Sequence, residues 1–224
     1  MKRFNLFPVA LALAALALPL AANAQQQKSK ATVASATTAP IAAPPSNLVM
    51  FPPMIQGATP DSKGVVNKSA RKAQDIITDA IKMRLSMSGV GAFVYSRRLP
   101  TVQRAVAENL IKAESAANPT DDDRIAQRVA ELMGADEYVI VDVPDYKYDE
   151  ATKTATFTVS MIRKAVDGTQ LGTVAEKAVG VAPADVAPTR QEGSAIARAA
   201  ETVAEQTVSA IFPMPKVETK KKKK

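Results

Sequence analysis

The stretch from Gly134 to Gly180 constrains the fold most, because it strings three strand patterns on two turn signals. Tyr138, Val139, Ile140, Val141 and Val143 form an almost continuous apolar run, as expected of a strand covered on both faces. The next run alternates: Ala155, Phe157, Val159 and Met161 fall on one side, and Thr154, Thr156, Thr158 and Ser160 on the other. That two-residue period predicts a strand with one wet face. Asp167-Gly168 then separates Ala165-Val166 from Leu171, and Asp-Gly between apolar runs predicts a tight hairpin with positive φ at both positions. The expected product is a three-stranded antiparallel meander. Pro144 has no N–H to donate, so the first of these strands must bulge there, end there, or face an unpaired edge.

The flanking segments read as covers for this sheet. Asn47 to Phe51 is a short strand stopped by Pro52-Pro53. Ala73, Ile77, Ala80, Ile81 and Leu85 recur at helical spacing up to Gly89, and Ala92 to Tyr95 makes a second short strand. Such a β-α-β unit predicts parallel strands with a right-handed crossover. A helix from Thr101 carries Val102, Val106, Leu110 and Ile111 and breaks by Asn118-Pro119. Thr120, with Asp123 three residues on, predicts a capped third helix that Gly134 ends. A last helix is expected from Gly193 to Pro213, with a stripe of small apolar residues suited to close packing on a sheet. The order β-α-β-α-α-β-β-β-α predicts an α+β domain over residues 46–213, a mixed sheet with helices packed against it.

The ends carry the chain's charge. Lys2 and Arg3 precede an apolar run to Leu20 and an Ala22-Asn23-Ala24 cleavage pattern, so residues 1–24 read as a signal peptide. A retained anchor is the competing reading, disfavoured by the shortness of the run and by Pro8 and Pro19. The formal charge of +7 is accounted for by Lys2, Arg3 and the five terminal lysines, which leaves a neutral body. Neutrality and export both argue against nucleic-acid binding. The chain has no cysteine, which rules out disulfides and attachment of lipid through a thiol. Residues 25–45, rich in Gln, Ala, Thr, Ser and Pro, are expected to be a disordered linker, and residues 214–224 a disordered tail. Lys220, Lys221, Lys222, Lys223 and Lys224 are the candidate site for an anionic membrane or wall polymer. A periplasmic or envelope-associated protein is the expected location.

Three motifs occur in a recognisable order: Gly91-Ala92-Phe93-Val94-Tyr95 with Arg97, Gly134-Ala135-Asp136-Glu137-Tyr138-Val139, and Val166-Asp167-Gly168-Thr169-Gln170-Leu171. In them the chain resembles the curli secretion channel subunit (CsgG-type) family and the amino-terminal domain of the Tol-Pal system's β-propeller protein, across nearly all of residues 47–212. The chain departs from that pattern: it lacks the lipidated cysteine, the inserted segments that build a membrane barrel, and a propeller. The resemblance therefore implies a periplasmic or envelope domain that works by binding and assembly, and implies neither a pore nor the Tol-Pal role.

Candidate chemistry is sparse. With neither His nor Cys, the commonest general base, thiol nucleophiles and soft metal ligands are missing, and no cofactor is expected. Ser69-Ala70-Arg71-Lys72 fits the S-x-x-K of penicillin-binding enzymes, but no S-D-N is present and Lys153-Thr154-Ala155 only approximates K-T-G. A chance match is the better reading. Asp142, Asp145, Asp149 and Glu150 gather carboxylates near one turn without the spacing of a calcium loop, so they read as solvated turn residues. Tyr138, Tyr146 and Tyr148 form a candidate recognition surface beside that turn. The expectation is a non-enzymatic envelope protein acting on a protein partner or by self-association. The alternatives are an exported serine enzyme using Ser69 and Lys72, and a small-molecule binding module.

Overall fold

The computed structural model describes residues 47–58 and 65–213. The expected signal peptide, linker and lysine tail, with Lys220 to Lys224, lie outside the described residues. The chain folds as α+β, a mixed seven-stranded sheet with five helices packed against it. The strands are β1 (Leu48–Met50), β2 (Met54–Ile55), β3 (Ala92–Val94), β4 (Glu137–Val143), β5 (Lys147–Asp149), β6 (Thr154–Ala165) and β7 (Gln170–Val181). The helices are α1 (Lys68–Met87), α2 (Pro100–Ala107), α3 (Ala113–Ala117), α4 (Asp123–Leu132) and α5 (Pro188–Ile211).

Breaks at two proline sites explain why seven strands appear where five were expected. β1 pairs in parallel with β3 on one side and β4 on the other, and β2 resumes the pairing with β4 beyond Pro52-Pro53. β4 runs antiparallel to β6, and β5 resumes on the same edge of β6 beyond Pro144, one residue out of step. Pro144 thus makes a bulge. The β6 amide it leaves unpaired, Thr158 N, donates to Asp145 Oδ1 at 2.5 Å, and Thr158 Oγ1 donates to Asp145 Oδ2 at 2.8 Å. A side chain substitutes for the missing strand backbone.

The expected meander forms, with β6 antiparallel to both β4 and β7. Its hairpin differs in detail from the two-residue turn expected. Gly168 alone takes positive φ, at 89°, and Gly168 N donates to Ala165 O, so a wider turn over Ala165–Gly168 closes the loop. Asp167 instead accepts the Thr169 amide at 2.8 Å, which holds its carboxyl below the ordinary range.

Three helix expectations also change. The second helix splits because Asn109 adopts a left-handed φ of 57°, tolerable for Asn and incompatible with a continuing helix. Asp122, not Thr120, caps α4 by accepting the Arg124 amide, since Pro119–Asp121 forms a separate 3-10 turn. α5 begins at Pro188 rather than Gly193 because proline suits the first helical position.

The two sheet faces are covered unequally. α1 and α5 pack over Val139, Val141, Phe157, Val159 and Met161. α2, α3 and α4 cover Val49, Phe51, Tyr138 and Ile140 on the other face, and Lys164 closes their margin by reaching Asp123 Oδ2 at 2.6 Å. Beyond that margin, Thr154, Thr156, Thr158 and Ser160 of β6 lie half-exposed beside the exposed Ala175, Lys177, Val179 and Val181 of β7. The small stripe of Ala195, Ile196, Ala199, Ala200 and Val203 lets α5 lie close on the sheet. At Gly180 a Cβ would stand 2.1 Å from Ala195 O.

Candidate functional site

Three features merit weighing: a polar cluster at the start of α1, a cleft at the carboxyl ends of the parallel strands, and the outer edge of β7. The cluster joins residues from three elements. Asn67 caps α1 by accepting the amides of Ser69 and Ala70 at 3.0 and 3.2 Å, which fixes Ser69 in the first turn. The Pro144 bulge carries Tyr146, whose ring packs against Phe157, so that its hydroxyl lies 2.8 Å from Ser69 Oγ. Glu192 of α5 accepts from Ser69 Oγ and, at 3.3 Å, from Tyr146 Oη. Lys72 Nζ reaches the other Glu192 oxygen at 3.3 Å, its stem running over Gly193, where a Cβ would stand 3.0 Å from Lys72 Cε.

This arrangement brings Ser69 and Lys72 together with two residues that the sequence did not single out as partners. Lys72 binds Glu192 and not Ser69 itself. Burial pushes Tyr146 up to about 12, with the Glu192 charge adding to it and the Ser69 bond partly offsetting it. Burial tends to raise Glu192, but the bonds from Ser69, Lys72 and Tyr146 outweigh it and hold the carboxyl below its ordinary value. Near neutral pH the carboxylate is charged and paired while the phenol is protonated. Neither stands near the operating pH, where proton transfer is most effective. The cluster's chemistry suits a clamp between α1, α5 and the bulge.

The cleft follows from topology. The chain leaves β1 through α1 to reach β3 on one side, then returns over the other face through α2 to α4 to reach β4, so connections diverge at the carboxyl end of β1. A cleft of about 1150 Å³ opens there, lined in part by Phe51, Arg71, Gln74, Arg97, Asp121 and Asp142. Gln74 is nearly buried and donates to Pro53 O at 2.7 Å, while its Oε1 accepts from Arg71 at 2.9 Å. Tyr95 braces one wall by donating to Ala116 O at 2.5 Å, and its burial pushes it up to about 12.

The third feature is the most distinctive. β7 pairs with β6 along one edge, and among the described residues no strand lies on its other edge. Ala182 N donates to Lys153 O, which makes 153 and 182 a bonded pair. Hydrogen-bonded pairs alternate in an antiparallel ladder. Counting along the register, Ala178, Glu176 and Val174 bond to β6, whereas Thr173, Ala175, Lys177 and Val179 turn their N–H and C=O groups outward. This row of main-chain donors and acceptors borders exposed Leu171, Val179 and Val181. Its sequence signal was slight: Gly172 to Val181 shows no two-residue period, and only its place after the Asp167-Gly168 turn marks it as a strand.

The other candidate residues near the β4–β5 turn take structural positions. Tyr138 is fully buried against Phe51, which removes it from any surface. Asp149 accepts the amides of Ala151 and Thr152, which hold its carboxyl low. Among the described residues no three acidic side chains converge as metal ligands do, and no helix is long and apolar enough to cross a membrane.

No family model matches the chain, and no curated protein matches it. The family resemblance carried by the three motifs thus has no support beyond the type of fold. Among solved structures the chain is similar to lipoprotein GNA1162 from Neisseria meningitidis, at 15% identity over 60% of this chain and 83% of that one, TM-score 0.40. It is also similar to the hypothetical protein CT253 from Chlamydia trachomatis, at 11% identity over 75% and 96%, TM-score 0.44. A third is the LpoB C-terminal domain from Salmonella enterica, at 12% identity over 60% and 84%, TM-score 0.37. Scores of this size carry no conclusion about function.

Proposed function

We propose that this chain is an exported, non-enzymatic protein of the cell envelope that works by binding or assembly, and that the outer edge of β7 is its binding element. The observation that carries the reading is the outward row of main-chain groups at Thr173, Ala175, Lys177 and Val179 on a 12-residue edge strand. Such an edge is a template for an added strand, and proteins that do not use one shorten it, cover it or load it with charge. β7 carries two charges, Glu176 and Lys177, within Gln170–Val181. The leader-like start of the sequence supports export.

Ala175→Pro tests the reading. The substitution removes an outward N–H and leaves the β6 ladder intact, a placement that edge strands tolerate. Capture of a protein partner from envelope extracts should fall while the melting temperature holds. Equal capture by both proteins would overturn the reading. The serine-enzyme alternative draws on the contact of Ser69 with Glu192 and Tyr146. Covalent labelling by a β-lactam probe, lost in Ser69→Ala, would establish that alternative in its place.

A further inference from the structure

The sequence of β7 suits one occupant of its edge in particular. Resting on the reading of that edge as a binding element, we infer that the occupant is a second copy of this chain, its β7 paired antiparallel about a two-fold axis at Ala175. An axis perpendicular to the sheet keeps each side chain on its own face, so only residues of like parity meet. Ala175 then faces Ala175, Thr173 faces Lys177, Val174 faces Glu176 and Gly172 faces Ala178. Thr173, Ala175 and Lys177 are the residues whose main-chain groups point outward, and they form the bonded pairs.

Charge selects this register. An axis at Glu176 sets two carboxylates opposite each other, and one at Lys177 sets two ammonium groups opposite each other; like charges in such positions destabilise a strand pair. An axis at Val174 runs the overlap into the hairpin loop around Asp167. At Ala175 each of the strand's two charges meets an uncharged residue over the longest overlap. The exposed Val179 of each copy comes level with the exposed Leu171 of the other. The opposite sheet edge, β3, spans only Ala92–Val94 and would leave most of β7 uncovered in a head-to-tail arrangement. Pairing of β7 with β7 continues one sheet through both copies, with α5 of each on the same face.

The chain has no cysteine, so single-cysteine variants of the full-length protein report the register directly. In a bonded antiparallel pair facing Cα atoms lie about 5.5 Å apart, within disulfide reach. Under mild oxidation Ala175→Cys should form disulfide dimers well above Thr202→Cys, an exposed control on α5. A mixture of Thr173→Cys and Lys177→Cys should cross-link more than either alone. Light scattering across a dilution series should show wild-type dimers and a monomeric Ala175→Pro whose melting temperature matches the one wild type approaches on dilution. Ala175→Cys cross-linking no better than the control, a maximum at another β7 position, or a wild type monomeric throughout would overturn the inference. A monomeric wild type whose envelope partner is lost in Ala175→Pro would sink self-pairing and leave the binding edge standing. No effect of that substitution on either assay would sink both.

Discussion

Arg163 and Glu137 form a nearly buried bidentate pair across β6 and β4, with Nε to Oε2 at 2.5 Å and Nη2 to Oε1 at 2.8 Å. Arg163 also donates to Ile211 O at 3.1 Å, and its guanidinium lies 4.3 Å from the centre of the Phe212 ring. One side chain thus satisfies a carboxylate, an orphan carbonyl at the end of α5 and an aromatic face. Side-chain exposures of 9% and 12% leave little water to replace a lost partner. Arg163→Ala should destabilise by about 3–5 kcal/mol. Arg163→Ala with Glu137→Leu should recover part of that loss, because no unpaired carboxylate remains. Urea denaturation of the single and double variants checks this, and equal stability of the two would refute it.

Two glycines should fail for different reasons. Gly180→Ala drives a methyl into Ala195 O and Ala199 N of α5, main-chain atoms that cannot swing aside. It should destabilise by about 3 kcal/mol, the upper end of ordinary overpacking. At Gly168 the nearest atom to a Cβ is Gln127 Oε1 at 3.6 Å, so space is ample and the positive φ alone resists substitution. Gly168→Val should destabilise by about 1–3 kcal/mol, and Gly168→Asn by less, since Asn accepts a left-handed backbone. Thermal melts that rank Gly168→Asn with Gly168→Val would contradict the backbone explanation.

Glu192 ties stability to acid. Its folded-state value lies below the ordinary one, so the stability it contributes is fully present above the unfolded glutamate value of about 4.3 and is lost as pH falls through the folded value. The stability gap between wild type and Glu192→Gln should hold steady from neutrality to about pH 5 and narrow below it. Ser69→Ala should reduce the gap at neutral pH. Denaturation at a series of pH values checks both, and a gap independent of pH would show that the cluster does not depend on the charge.

The lysine tail makes a prediction from charge alone. Each lysine near an anionic surface contributes about 1 kcal/mol, so Lys220 to Lys224 should hold the full chain on anionic vesicles at low salt. Release is expected at 1 M salt, where the Debye length is about 3 Å. Sedimentation with vesicles of the full chain and of one ending at Pro215 checks this; equal binding by both would remove the tail as an anchor.

The parts of this fold legible in the sequence are those set by near neighbours. The alternation along Thr154–Ala165, the site of the hairpin and the stops at Gly89 and Gly134 all depend on residues a few positions apart. β2 and β5 were missed because each is a fragment of two or three residues that exists only through its pairing with β4 or β6. The first turn of α5 carries Thr189, Arg190 and Gln191 and shows no apolar stripe. The cluster at Ser69 was legible only in half: Ser69 and Lys72 lie one turn apart, but Glu192 stands 123 residues from Ser69 in sequence. The free edge of β7 needed the ladder itself, because parity of the outward groups follows from one bonded pair and the register.

The place of β1 between β3 and β4 also sets a timetable. Leu48 pairs with Glu137, so the middle of the sheet cannot close until a long run of later sequence is present, whereas β6 and β7 pair across one short turn. Loop-closure entropy makes the distant pairing the slow one. In refolding followed by pulsed hydrogen exchange, amides of β6 and β7 should gain protection before those of β1. A chain threaded outward from its first residue would bring β1 and then β3 through, and would leave the other side of β1 open until the meander arrives to receive it.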